Sequence, residues 1–122
     1  MLTSKTHAIL DYLMGTLLIA IPWLLGFADN SAATVLPVIL GASTLAYSLL
    51  TDYEYALAPA FSFQGHLLLD LMSAILLTVS PWLFEFYEKV YWPHLIIGIV
   101  ELIAIAITRK APPETHFPMK TY

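Results

Sequence analysis

At 122 residues the chain is the size of one small soluble domain, but 59% of its residues are hydrophobic and only 11% are charged. Soluble domains carry roughly 25% charged residues. There is no cysteine, which excludes disulfides, thiol redox chemistry and cysteine-ligated metal. A formal charge of −4 without a basic patch argues against a nucleic-acid partner.

Four stretches, about 7–27, 32–50, 66–86 and 91–108, are apolar enough to cross a bilayer. A crossing takes about 20 residues at about 1.5 Å each, so the second and fourth are near the short end but sufficient. Helix 1 is expected to begin near Ser4, a capping residue, and Pro22 to bend or end it before Trp23. Its basic start at Lys5 and apolar run look like a signal peptide, but an Ala-x-Ala-like cleavage site is missing. Residues 26–31 are turn-rich, Asn30 or Ser31 can cap helix 2, and Pro37 sits about one turn in. Helix 2 is expected to end around Thr51 and Asp52. The 52–65 connection is polar at one end and aromatic at the other, which suits the membrane surface. Gly65 is expected to precede helix 3, which runs through Ser80-Pro81-Trp82. A short turn at 85–90 leads to Pro93, near the start of helix 4. The tail from Ala111 holds three prolines and reads as extended and exposed.

The chain repeats itself. His7-Ala8-Ile9-Leu10-Asp11 is echoed by His66-Leu67-Leu68-Leu69-Asp70, and Pro22-Trp23-Leu24 with Phe27 by Pro81-Trp82-Leu83 with Phe86. The offset is 59 residues, and nine of 21 aligned positions match without a gap. Gly41 and Thr51 correspond to Gly98 and Thr108 at an offset of 57. The second block lies mid-chain, where no signal peptide can be, so both blocks read as retained helices. The expected fold is therefore all-α, an integral membrane four-helix bundle built from two tandem two-helix repeats. It forms one transmembrane domain, with repeat 1 over about 4–52, repeat 2 over about 64–109 and an exposed tail at 110–122. Parallel repeats are related by an axis along the membrane normal, which places His7 and His66 at one depth.

Lys5, Arg109, Lys110 and Lys120 fall on the side of the termini, and only Lys89 lies in a loop opposite. The positive-inside rule makes both termini cytoplasmic. Trp23, Trp82 and Trp92, with Tyr87 and Tyr91, then form the outer aromatic belt, and Tyr53, Tyr55 and Phe61 the inner one.

Two membrane helices per unit, a Ser-Pro-Trp-type triplet near the end of the first, and a leading His-x-x-x-Asp resemble the SPW-repeat membrane proteins. The triplet is intact as Ser80-Pro81-Trp82 and departs at its first position in Ile21-Pro22-Trp23. The resemblance runs nearly to Thr108. It implies a small, mostly bacterial, polytopic membrane protein, and brings no established activity and no catalytic residues.

His7 and Asp11, like His66 and Asp70, are four apart and share a helix face. Gly15 and Ala74 continue those faces, and small residues let membrane helices approach. Helices 1 and 3 are therefore expected to pack together, with the two imidazoles and two carboxylates meeting just inside the cytoplasmic face. The first reading of that cluster is a structural clasp. A His2Asp2 metal site for zinc or a similar ion and a proton or ion relay are the alternatives. The adjacent aspartates argue against a haem between the histidines. Glu101 lies about nine residues from either end of helix 4, where a charge costs at least about 2.5–3.5 kcal/mol. It is expected to face the bundle interior or a subunit contact, hydrogen-bonded as an acid to Thr44, Ser43 or Thr78. Pro22-Trp23 and Pro81-Trp82 read as geometric, with proline shaping the helix end and indole anchoring it.

No nucleophile–base arrangement, phosphate loop or protease motif is present. The reading is a non-enzymatic structural or interaction protein of the cell membrane, without a cofactor. Its partners are the lipid bilayer and a second copy or another membrane protein. The alternative is small-scale ion or proton transport, or metal binding, through the His–Asp cluster and Glu101.

Overall fold

The computed structural model describes residues 1–51, 55–58, 60 and 62–108. The expectations for Asp52, Tyr53 and Phe61, and for the tail beyond Thr108, lie outside the described residues. Four helices follow in chain order: α1 Ser4–Leu24, α2 Ala32–Leu49, α3 Phe63–Leu83 and α4 Trp92–Ile107. There is no strand among the described residues, only an isolated bridge between Leu2 and Thr108. α1, α2 and α3 are long and apolar enough to cross a membrane. α4 is apolar but has 16 residues, about 24 Å by helical rise, and is shorter than the other three. Large apolar side chains such as Leu13, Ile39, Met72 and Ile103 point outward and are more than half exposed. The helices thus bury their polar and small residues and show apolar ones outside, the arrangement suited to lipid.

Caps explain the boundaries. The Thr3 side chain accepts from the Thr6 N–H to start α1, and Ser62 accepts from Gly65 to start α3. Gly65 therefore lies inside the first turn of α3 rather than ahead of it, because the serine three residues earlier captures its amide.

Both prolines sit inside their helices, which continue through the tryptophan to Leu24 and Leu83. The helix does not stop before Trp23 as the proline alone suggests. It stops at a Schellman turn. The Phe27 N–H bonds the Pro22 carbonyl at 2.9 Å and the Gly26 N–H bonds that of Trp23 at 3.3 Å. In the second hairpin Phe86 bonds Pro81 at 2.8 Å and Glu85 bonds Trp82 at 3.4 Å. The turn needs a left-handed residue, and Gly26 (φ 75°) and Glu85 (φ 59°) supply it. Proline followed by tryptophan, with phenylalanine completing the turn, is thus a helix-ending device.

The serine of the triplet has its own task. Pro81 has no N–H for the Leu77 carbonyl, four residues back. The buried Ser80 hydroxyl donates to that carbonyl at 2.7 Å. Ile21 leaves the matching Leu18 carbonyl without such a hydroxyl. Ser80→Ala should therefore cost about 1–3 kcal/mol through an unsatisfied buried carbonyl, read as a lowered unfolding midpoint in detergent. An unchanged midpoint would show that this carbonyl needs no replacement donor.

The closest helix contacts lie within the hairpins, α1 along α2 and α3 along α4. At Gly41 the backbone of α2 comes against the Gly15 carbonyl of α1, and at Gly98 α4 comes against Thr78 and the Ala74 carbonyl of α3. Gly15 and Ala74 therefore serve the antiparallel partner of their own hairpin and not an α1–α3 seam. The reason is steric: the opposing glycine is on α2 or α4. α1 and α3 instead meet through side chains, with Leu18 and Leu77 in one buried cluster with Ile21 and Ile97, and Ala8 in another with Phe63 and Leu67. α2 also approaches α3 more closely than α4 approaches α1. At the far end His94 of α4 donates through Nε2 to the Ala33 carbonyl at 2.8 Å, between Phe27 and Phe86. An ion pair between Lys89 and Asp29 joins the two loops there, at a surface where such pairs add little.

Candidate functional site: a buried histidine–aspartate centre

His7, Asp11, His66 and Asp70 converge, and all four are buried. His7 Nε2 lies 2.8 Å from Asp70 Oδ2 and 3.2 Å from Asp11 Oδ1. His66 Nε2 lies 2.8 Å from Asp11 Oδ2 and 3.0 Å from Asp70 Oδ2. Each imidazole thus engages its own helix's aspartate and the one on the other hairpin. The helical i,i+4 spacing brings the first partner and the α1–α3 juxtaposition brings the second.

The other ring nitrogen is also held. His7 Nδ1 is 2.8 Å from Thr108 Oγ1 and His66 Nδ1 is 2.6 Å from Thr51 Oγ1. Each threonine hydroxyl already donates to the carbonyl four residues back, Thr108 to Ala104 at 2.5 Å and Thr51 to Tyr47 at 2.7 Å. A hydroxyl has one hydrogen, so in both cases the imidazole Nδ1–H donates and the threonine accepts. Both rings are fixed with Nε2 toward the carboxylates. Tyr47 donates to Asp70 Oδ1 at 2.5 Å, and Thr44 touches the same phenol at 3.3 Å. Phe63 packs edge-on against His7.

Glu101 faces this centre. It lies nine residues after the start of α4 and six before its end, and is partly buried. With His7, Asp11, Asp70, Thr44, Met14 and Ala104 it lines a cavity of about 80 Å³. Among the described residues no hydroxyl bonds its carboxyl. Thr44 is turned to Tyr47 and Thr78 donates to the Ala74 carbonyl at 2.7 Å. Of the hydroxyls expected as its partners, Thr44 and Thr78 are thus committed elsewhere and Ser43 is exposed, although Thr44 shares the cavity wall.

The cavity exists because the halves differ. The position matching Ala104 is Tyr47, whose ring fills the space and reaches Asp70; the position matching Glu101 is Thr44. Pro22, Trp23, Pro81 and Trp82 take no part, since they lie at the opposite ends of α1 and α3. Both prolines are buried there and both indoles exposed. Thr51, Thr108 and Tyr47 belong to the centre without having been marked as site residues. The threonines carried a signal, a hydroxyl at matching ends of helices 2 and 4. Tyr47 carried none, because its counterpart is alanine.

Apolar helices of spanning length around a buried ionisable centre define a helical membrane protein. A family profile described as the SPW repeat domain matches residues 5–108, and the chain belongs to that family. No curated protein and no solved structure matches it.

Proposed function

We propose that this protein is a non-enzymatic, multi-pass structural or interaction protein of the cell membrane. Its two hairpins are read as duplicated units, with all four helices in the bilayer and both termini cytoplasmic. The observation that carries the reading is the direction of the bonds at the centre. His7 to Thr108 and Asp70, His66 to Thr51 and Asp11, and Tyr47 to Asp70 all run from one hairpin to the other. Polar side chains committed to each other in this way hold helices together in lipid and leave an apolar outer surface for lipid or a second protein. The basic residues near the termini support the orientation.

The test places a photo-crosslinker at Leu13 or Ile103, both more than half exposed, in cells carrying reporter fusions at residues 30 and 88. Protein-sized adducts, a second copy or another membrane protein, are expected, with both reporters external. Adducts with lipid alone would remove the interaction role, and a cytoplasmic reporter would overturn the topology.

A further inference from the structure

We propose that His7, Asp11, His66 and Asp70 bind one divalent first-row transition ion of the Zn2+ type, reached through the cavity beside Glu101. The four residues offer two imidazole nitrogens and two carboxylate oxygens, all within 4.8 Å of one another. Tetrahedral zinc takes nitrogen and oxygen ligands at about 2.0–2.2 Å, which sets its ligand atoms about 3.3–3.5 Å apart. The nitrogen-to-oxygen separations are 2.8–3.2 Å. Asp11 meets the two imidazoles through different oxygens, so turning its carboxylate to present one of them is the adjustment that admits the ion.

The surroundings are those of a metal site rather than of a simple ion pair. Metal-binding histidines present one nitrogen and donate the other N–H to a fixed acceptor, which sets the tautomer and aims the ring. Thr108 and Thr51 are such acceptors for His7 and His66, since their own hydrogens are committed. Tyr47 holds Asp70 through Oδ1, so that Oδ2 is the oxygen facing both imidazoles. Two carboxylates balance a divalent charge once both imidazoles are neutral, and no lysine or arginine lies between residues 6 and 88 or between 90 and 108 to compete with the ion for them. Two imidazoles select against calcium and magnesium, which take oxygen ligands. The histidine rings are at most 2% exposed, so an ion needs an opening. The cavity at Ala104 reaches His7, Asp11 and Asp70, with the Glu101 carboxyl on its wall.

The full-length protein, purified in detergent and stripped with chelator, is titrated with Zn2+ and separately with Co2+. One ion per chain is expected, and the Co2+ form should show the intense visible absorption of a tetrahedral site. Thr108→Val keeps all four ligands and should weaken Zn2+ binding by about 10–100-fold, the range for an outer-shell partner. Asp70→Asn should weaken it further. Ala104→Tyr, which copies the other half, should slow uptake while keeping the site. Folding of each variant is checked by circular dichroism and gel filtration. If Asp70→Asn does not fold, Thr108→Val with Thr51→Val decides. Substoichiometric uptake by the folded wild type, a weak octahedral Co2+ spectrum, or binding indifferent to the threonine variants would overturn the site. Uptake by Ala104→Tyr at the wild-type rate would overturn the route.

Discussion

Asp70→Ala should be among the most destabilising single substitutions, costing about 3–5 kcal/mol, the range for removing one partner from a buried ion pair. Asp70 takes contacts from His7, His66 and Tyr47, and all four side chains lie in the interior. Removing the carboxylate takes the acceptor from the Tyr47 phenol and leaves both imidazole nitrogens to share Asp11 alone. Asp70→Asn keeps an acceptor and the shape and should lose less, while Tyr47→Phe removes one donor and should cost about 1–3 kcal/mol. Unfolding midpoints in detergent or bicelles measure the series. Equal midpoints for wild type and Asp70→Ala would mean that the centre does not hold the hairpins together, and the clasp reading would fail.

Gly41→Ala and Gly98→Ala should each lose about 1–3 kcal/mol, the cost of overpacking a tight contact. A methyl on Gly41 would lie 2.5 Å from the Gly15 carbonyl oxygen. One on Gly98 would meet the Thr78 amide at 2.9 Å and the Ala74 carbonyl at 3.1 Å. Backbone atoms cannot rotate away, so the helices must separate. Gly15→Ala is the milder case: its closest neighbour is the end of the Leu45 side chain at 2.9 Å, its one backbone neighbour is the Gly41 carbonyl at 3.1 Å, and the matching Ala74 already carries a methyl. The expected order is a large loss at Gly41 and Gly98 and a small one at Gly15. A loss at Gly15 equal to that at Gly41 would show that the hairpin contact is governed by something other than this backbone approach.

Much of the fold was legible because lipid demands a simple code. Long apolar runs gave the four helices to within a few residues, and the His-x-x-x-Asp spacing put each pair on one face. The misses share a cause. A small residue announces that something comes close, but not what, so Gly15 and Ala74 were assigned to each other's helices when each faces its own hairpin partner. Ser62 as a cap outweighed Gly65 as a breaker, and a Schellman turn let Pro22 and Pro81 sit within the last turns. Tyr47 and the cavity beyond Ala104 were hidden because they arise from a difference between the halves, visible only once the helices are set side by side. Glu101 stands out in the sequence as a charge in an apolar helix, and it lies partly buried on the cavity wall. The hydroxyls expected to bond it do not, because hydroxyls in membrane helices also bond their own backbone, as Thr78 does.

The crosswise wiring of the centre bears on how the protein is made. His7 and its threonine partner are 101 residues apart in the chain, a stretch that a ribosome extends in about 5–20 s. Until α4 has been synthesised, the first hairpin waits in the bilayer with His7 lacking its threonine. It is only half of a finished object, exposed during that interval to whatever escorts or degrades incomplete membrane proteins. A ribosome that stalls before Thr108 therefore leaves a product with an open polar seam, so the arrival of α4 and the closure of the centre are one event in the life of the molecule.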